Sequence, residues 1–139
     1  MVSQKFILGL LILILAVHIL ANIYSWYWTY TWLDMPMHFL AGLWLAAVFF
    51  HYIKPKLEIA NHQFLVSLIL ALGFVALIGV LYEFFEFFYD IFIASRGYTA
   101  ISQQGVADTM KDLFFDLIGA SVLILTLKIF GKRKTALVN

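Results

Sequence analysis

The sequence predicts an all-α integral membrane protein, a bundle of four transmembrane helices, and three observations carry that prediction. The chain is 64% hydrophobic and 12% charged over 139 residues, about half the charge of an ordinary soluble domain. Its apolar runs reach the roughly 20 residues that a helix needs to cross hydrocarbon. Its charges separate by sign between alternate helix ends. Residues 1–139 read as a single membrane domain without repeats, linker or second domain.

The first helix is predicted over residues 6–23. Its apolar stretch is longer than that of a signal peptide and no clean cleavage site follows, so it reads as a retained span. The aromatic run Tyr24-Ser25-Trp26-Tyr27-Trp28-Thr29-Tyr30-Thr31-Trp32 comes next. Such crowding marks a membrane–water interface, where amphipathic rings settle at headgroup level. The second helix spans residues 35–53. Asp34 is placed to act as its N-cap, and Pro36 is tolerated in a first turn that lacks intrahelical N–H partners. Pro55 stops it, and a short polar connection runs to His62.

The third helix is predicted over residues 64–95, closed by Arg96-Gly97. The polar connection that follows, with Ser102-Gln103-Gln104-Gly105, is a lid candidate. Asp108-Thr109 caps a fourth helix over residues 109–130, and a frayed basic tail follows.

Seven of the nine basic residues, Lys5, Lys54, Lys56, Lys128, Lys132, Arg133 and Lys134, flank one set of helix ends. The positive-inside rule makes that side, with both termini, cytoplasmic. Seven of the eight acidic residues gather at the other ends: Asp34, Glu83, Glu86, Asp90, Asp108, Asp112 and Asp116. Only Arg96 and Lys111 answer them there, with His18 and His38 nearby. Carboxylates in or beside hydrocarbon are costly and rare, so bound protons, a cation or a cationic ligand must balance this face. With no cysteine in the chain, disulfides and thiolate chemistry are excluded. The net charge of +1 says little about partners; the membrane class makes lipid, with a lipid-linked substrate, the expected partner, with no nucleic acid and with an oligomer open.

Helical spacing puts the polar residues on stripes. Asp34 and His38 are one turn apart, Glu83, Glu86 and Asp90 follow i, i+3, i+7, and Asp108, Asp112 and Asp116 follow i, i+4, i+8. His18 and Asn22 form a further pair. A four-helix bundle can build a metal or substrate site from such stripes. Plainer readings suit some members: Asp34 and Asp108 as N-caps, Asp90 among headgroups, His18 with Asn22 as a hydrogen-bonded pair between helices. Glu83, Glu86, Asp112 and Asp116 resist them. With His38 they are the expected ligands of a divalent ion, Zn²⁺, Mn²⁺, Mg²⁺ or Fe. Neither the Glu-x-x-His of di-iron bundles nor the His-Glu-x-x-His of zinc proteases occurs. Gly42, Ala46, Gly79, Gly119 and Ala120 would let the helices approach closely beside the acids, as small residues do in any membrane bundle.

Three segments then read together: Asp34-x3-His38-Phe39-x2-Gly42, Tyr82-Glu83-x2-Glu86, and Asp108-Thr109-x2-Asp112-x3-Asp116-x2-Gly119-Ala120. Their order resembles the VanZ-like membrane proteins, and more closely a related group of uncharacterised bacterial inner-membrane proteins. In the VanZ-like pattern Asp34, His38, Glu83, Glu86, Arg96, Asp112 and Gly119 have counterparts, while Asp116 stands where Asn is common. The resemblance implies a multi-pass protein of the prokaryotic cytoplasmic membrane, tied to the cell envelope.

Three functions remain open from sequence. The first is metal-assisted hydrolysis or group transfer on a lipid-linked substrate at the outer leaflet. There Glu83 or Glu86 would act as base, His38 as ligand or acid, and Arg96 and Trp28 would hold an amphipathic substrate. The second is cation- or proton-coupled transport, which needs a polar route that the inner halves of the helices lack. The third is a scaffold or assembly role. No serine triad and no phosphate-cradling glycine loop is present.

Overall fold

The computed structural model describes residues 2–60, 63–97, 102–103 and 105–136, with side chains described up to residue 130. His62, Gln104, the lid residues 98–101 and the end of the basic tail fall outside the described residues. The elements are α1 (Gln4–Ile23), α2 (Trp26–Thr29), α3 (Asp34–Val48), α4 (Phe64–Phe92) and α5 (Val106–Ala136). Among the described residues no strand occurs. Four helical stretches, 4–23, 34–57, 64–96 and 106–130, are long and apolar enough to cross a membrane.

Helix α1 starts where the Ser3 hydroxyl accepts the Phe6 N–H, an N-cap bond that satisfies one orphan donor. It packs on α3 at the edge of the bundle. Two bonds fasten it there: Trp44 Nε1 donates to the Ile7 carbonyl at 3.1 Å, and His51 Nδ1 to the Val2 carbonyl at 2.8 Å. The turn into the four-residue helix α2 uses Ser25 at φ 55°.

The second span does not end as a plain α-helix. Residues Phe49–Ile53 form a π turn and Lys54–Leu57 a 3₁₀ turn. Pro55 accounts for both, because its ring clashes with the carbonyl four residues back and it has no N–H to donate. The wider turn before it removes the clash.

The centre of the bundle is the pairing of α3 with α5, with α4 laid against α5. Glycine decides how close that pairing is. A Cβ at Gly42 would fall on the Asp116 carbonyl, and one at Gly119 on the Phe39 carbonyl. The two backbones therefore touch on both sides of the contact, as small-residue seams permit in membranes. Helix α4 buries one stripe at strict four-residue spacing: Ser67, Ala71, Val75, Gly79 and Glu83. Its other faces carry exposed Leu65, Ile69, Leu77, Phe84, Phe85 and Phe88, as a helix facing lipid does.

The core changes character along its length. Toward the basic end it is mainly apolar, with Ala46, Ala47, Phe49, Ala71, Val75 and Ile124 buried, and the buried Ser67 hydroxyl donates to the Gln63 carbonyl. There Lys128 lies 3.9 Å over the Phe64 ring and Lys54 5.4 Å over Phe50, cation–π contacts that cap the apolar layer. Toward the acidic end the buried side chains are His38, Glu83, Asp112 and Asp116.

Candidate functional site

The first turn of α3 begins the site. Asp34 is the first helical residue; Leu33 occupies the N-cap position, with no side-chain cap bond. The capping expected of Asp34 is thus corrected. One turn on, His38 comes to lie between two acids. Its Nε2 is 3.7 Å from Asp34 Oδ1 and its Nδ1 3.5 Å from Asp116 Oδ1. Both distances are ion-pair contacts, longer than hydrogen bonds. Tyr82 sets its ring edge against the imidazole, centroids 5.9 Å apart.

Helix α5 supplies two carboxylates from its buried stripe. Asp112 is 1% and Asp116 3% exposed. Oδ1 of each is buried without a hydrogen-bond partner among the described residues. Asp116 is held by glycines on two sides, its carbonyl against Gly42 and its Oδ2 against Gly79. One ligand atom each of Asp34, His38 and Asp112 lies within 4.8 Å of the others. Two carboxylates and an imidazole at that spacing can hold a divalent cation after small side-chain rotations. Asp116 stands beside them through His38.

Glu83 approaches the same cluster from α4. It is 5% exposed, and its Oε1 is buried and unpartnered. Its Oε2 accepts a long bond, 3.4 Å, from Gln103 Nε2, which also donates to Thr109 Oγ1 at 3.1 Å. Beside it a groove of about 320 Å³ runs between α4 and α5, lined by Val80, Glu83, Phe84, Phe87, Gln103, Val106, Thr109 and Leu113. Glu86 lies off the buried stripe of α4 and is half-buried. It remains within electrostatic reach of Glu83, Asp34, His38 and Asp112.

The remaining acids do other work. Asp90 accepts the backbone N–H groups of Ser102 and Gln103, each at 2.8 Å, and so ties the polar connection to the end of α4. Helix α5 starts at Val106, earlier than expected, so Asp108 sits inside its first turn rather than at the N-cap. Its carboxylate accepts from Lys111 at 2.5 Å.

His18 bonds outside the cluster, although the Asp34 charge reaches it. Its Nδ1 is 2.9 Å from the Tyr27 hydroxyl, and Asn22 Nδ2 donates to its carbonyl at 2.8 Å. The Asn22 pairing is within α1 rather than between helices, because residues four apart share one face. Burial pushes the Tyr27 phenol up to about 12, and the Asp34 and Glu86 charges add to the shift. Trp28 is 64% exposed on α2, and Arg96 is exposed on the 3₁₀ turn Ala94–Arg96 that ends at Gly97 in the left-handed region. Among the described residues neither makes a contact with the cluster.

Three participants escaped the sequence reading: Gln103, Thr109 and Tyr82. Thr109 and Tyr82 sit inside the quoted motifs, each adjacent to an acid, and that adjacency was the available signal. Nothing local marks Gln103, because the Asp90 latch that positions it joins residues 13 apart.

The family model described as "Predicted membrane protein (DUF2238)" matches residues 3–133, and the chain belongs to that family. No curated protein and no solved structure matches it.

Proposed function

We propose that this DUF2238 membrane protein binds a divalent cation through Asp34, His38 and Asp112, with Asp116 alongside. We further propose that it uses the ion in hydrolysis or group transfer on a lipid-linked, phosphate-bearing substrate at the outer leaflet. One observation carries the reading. Asp112 and Asp116 each bury a carboxylate oxygen with no hydrogen-bond partner among the described residues, Asp112 within 4.8 Å of the His38 and Asp34 ligand atoms and Asp116 in a 3.5 Å ion-pair contact with His38 Nδ1. Buried carboxylate oxygens are ordinarily satisfied, and a coordinated cation is a common way to satisfy them.

When bound, the ion would polarise a phosphoryl oxygen and favour attack by water. Glu86, half-buried beside the cluster, is placed to take the proton that the attacking water gives up. Arg96, exposed at the same end, suits an anionic headgroup through its planar fork. The VanZ-like motif order supports a setting in the prokaryotic cell envelope. Transport is the weaker reading, since the core toward the basic end is built from Ala46, Ala47, Phe49, Val75 and Ile124, and the hydroxyl of its buried Ser67 is already bonded to the Gln63 carbonyl.

Purified protein incubated with Mn²⁺ or Zn²⁺ and a panel of lipid phosphates tests the proposal. Product release that is lost in His38→Ala and Asp112→Asn is expected. Metal bound at the site with no lipid consumed would leave a scaffold built around a structural ion. Absence of bound metal by elemental analysis, with no thermal response to divalent ions, would overturn the proposal.

A further inference from the structure

We infer that the groove between α4 and α5 is a lateral binding site for one chain of a membrane lipid whose head carries a primary ammonium group, with Glu83 as the residue that receives the ammonium. This deepens the function proposed above by naming a substrate class, and to that extent it rests on that reading.

Shape and position argue for a lipid chain. The walls are Val80, Phe84, Phe87, Val106 and Leu113, and the space, about 320 Å³, is at the small end for ligand pockets. It has room for part of one acyl chain and a small head. The groove lies between two membrane-spanning stretches, and Phe84 and Phe87 on its α4 wall are exposed at 56% and 46%. It therefore opens sideways toward hydrocarbon, where chains are the molecules at hand.

The polar end selects the head. Glu83 lines the groove, is 95% buried, and keeps Oε1 without a partner among the described residues. Its other oxygen has only the long Gln103 bond. A carboxylate there accepts hydrogen bonds and attracts positive charge, and an ammonium supplies three donors and that charge. An anionic head would meet Glu83 with Asp34, Glu86 and Asp116 within electrostatic reach of it. Lys111, the nearby lysine, already donates to Asp108. Glu83 thus joins the groove to the metal cluster, so that a head seated on it would bring its phosphodiester toward Asp34, His38 and Asp112.

Native mass spectrometry of the full chain, released from nanodiscs of equal phosphatidylethanolamine and phosphatidylglycerol with matched chains, tests this. Retention of the ethanolamine lipid by about tenfold over the glycerol lipid is expected, the factor of one hydrogen bond to a charged group. Val80→Trp, which fills the groove, should lose both lipids. Glu83→Gln should keep chain binding and lose the preference. Thr126→Val, at an exposed position on α5 outside the groove lining, should keep both properties and shows that mutation of this helix does not by itself unseat lipid. Equal retention of the two heads, preference for the hydroxyl head, or retention unaffected by Val80→Trp would each overturn the inference. The Mn²⁺ thermal shift, read on the same samples, separates the two proposals. Asp112→Asn should abolish that shift and leave the lipid preference standing.

Discussion

Gly42 on α3 lies directly against the backbone carbonyl of Asp116 on α5. The residue that lets two helices touch therefore also sets the depth of a buried carboxylate. Gly119 repeats the contact one turn away against the Phe39 carbonyl, and Gly79 closes on the Asp116 side chain. Packing and site are one arrangement here, because close backbones leave the Asp116 side chain little freedom to move.

A methyl group at Gly42 or Gly119 has nowhere to go. Gly42→Ala and Gly119→Ala are each expected to destabilise the protein by at least about 2 kcal/mol, the cost of overpacking a tight contact. Gly73→Ala, which meets open space, should be neutral or slightly stabilising. Unfolding in mixed micelles measures all three. A Gly42→Ala protein as stable as Gly73→Ala would refute the seam.

Divalent ion binding should appear as stabilisation. At a free ion concentration 100 times Kd the native state gains about 2.7 kcal/mol, so Mn²⁺ should raise Tm and chelation should lower it. Asp34→Asn, His38→Ala and Asp112→Asn should each remove most of that response. Glu58→Gln, at the basic end, should retain it in full. A response insensitive to Asp112 would place the ion elsewhere.

Asp90 should control the order of the connection it holds. Asp90→Ala removes the acceptor of two backbone N–H groups, at Ser102 and Gln103. Amide exchange there is expected to speed up by roughly tenfold or more, the scale of a bond to a charged acceptor. Unchanged exchange at both amides would show that the latch is not what holds the loop.

The Tyr27 phenol, raised from 10.0 to about 12, makes a prediction at alkaline pH. The folded state holds this proton more tightly than the unfolded chain does. The stability tied to it is complete below pH 10 and is lost as pH rises toward 12. Tyr27→Phe should remove that part of the alkaline loss when melting is followed across this range. Identical alkaline profiles for the two proteins would contradict the assignment.

Sidedness follows from the basic asymmetry alone. Because the chain has no cysteine, single cysteines report it cleanly. Thr31→Cys should react with an impermeant reagent in intact cells and Lys56→Cys should not. The opposite pattern would invert the orientation and move the proposed chemistry to the inner leaflet.

The sequence by itself determined the membrane class, the helix order and the gathering of acids toward one end. Hydropathy, length and charge are local quantities, and they persist whatever the helices pack against. Periodicity also foresaw that His38, Asp112 and Asp116 lie on stripes, and that glycines lie on the same faces. Tertiary structure decided which stripe members meet. Glu83 is buried because it continues the four-residue seam Ser67, Ala71, Val75 and Gly79, whereas Glu86 falls off that seam and stays half-buried. Asp34 is not the cap because α3 begins at that residue, while its place one turn before His38 was already set by the spacing. His18 turned to Tyr27 because α1 packs on α3 from the edge of the bundle. Asp90 became a latch through a partner 13 residues away. Which stripe members meet across the bundle depends on how one helix is rotated and shifted against another. Contacts such as Gly42 on Asp116 set that rotation, and they join residues distant in the chain.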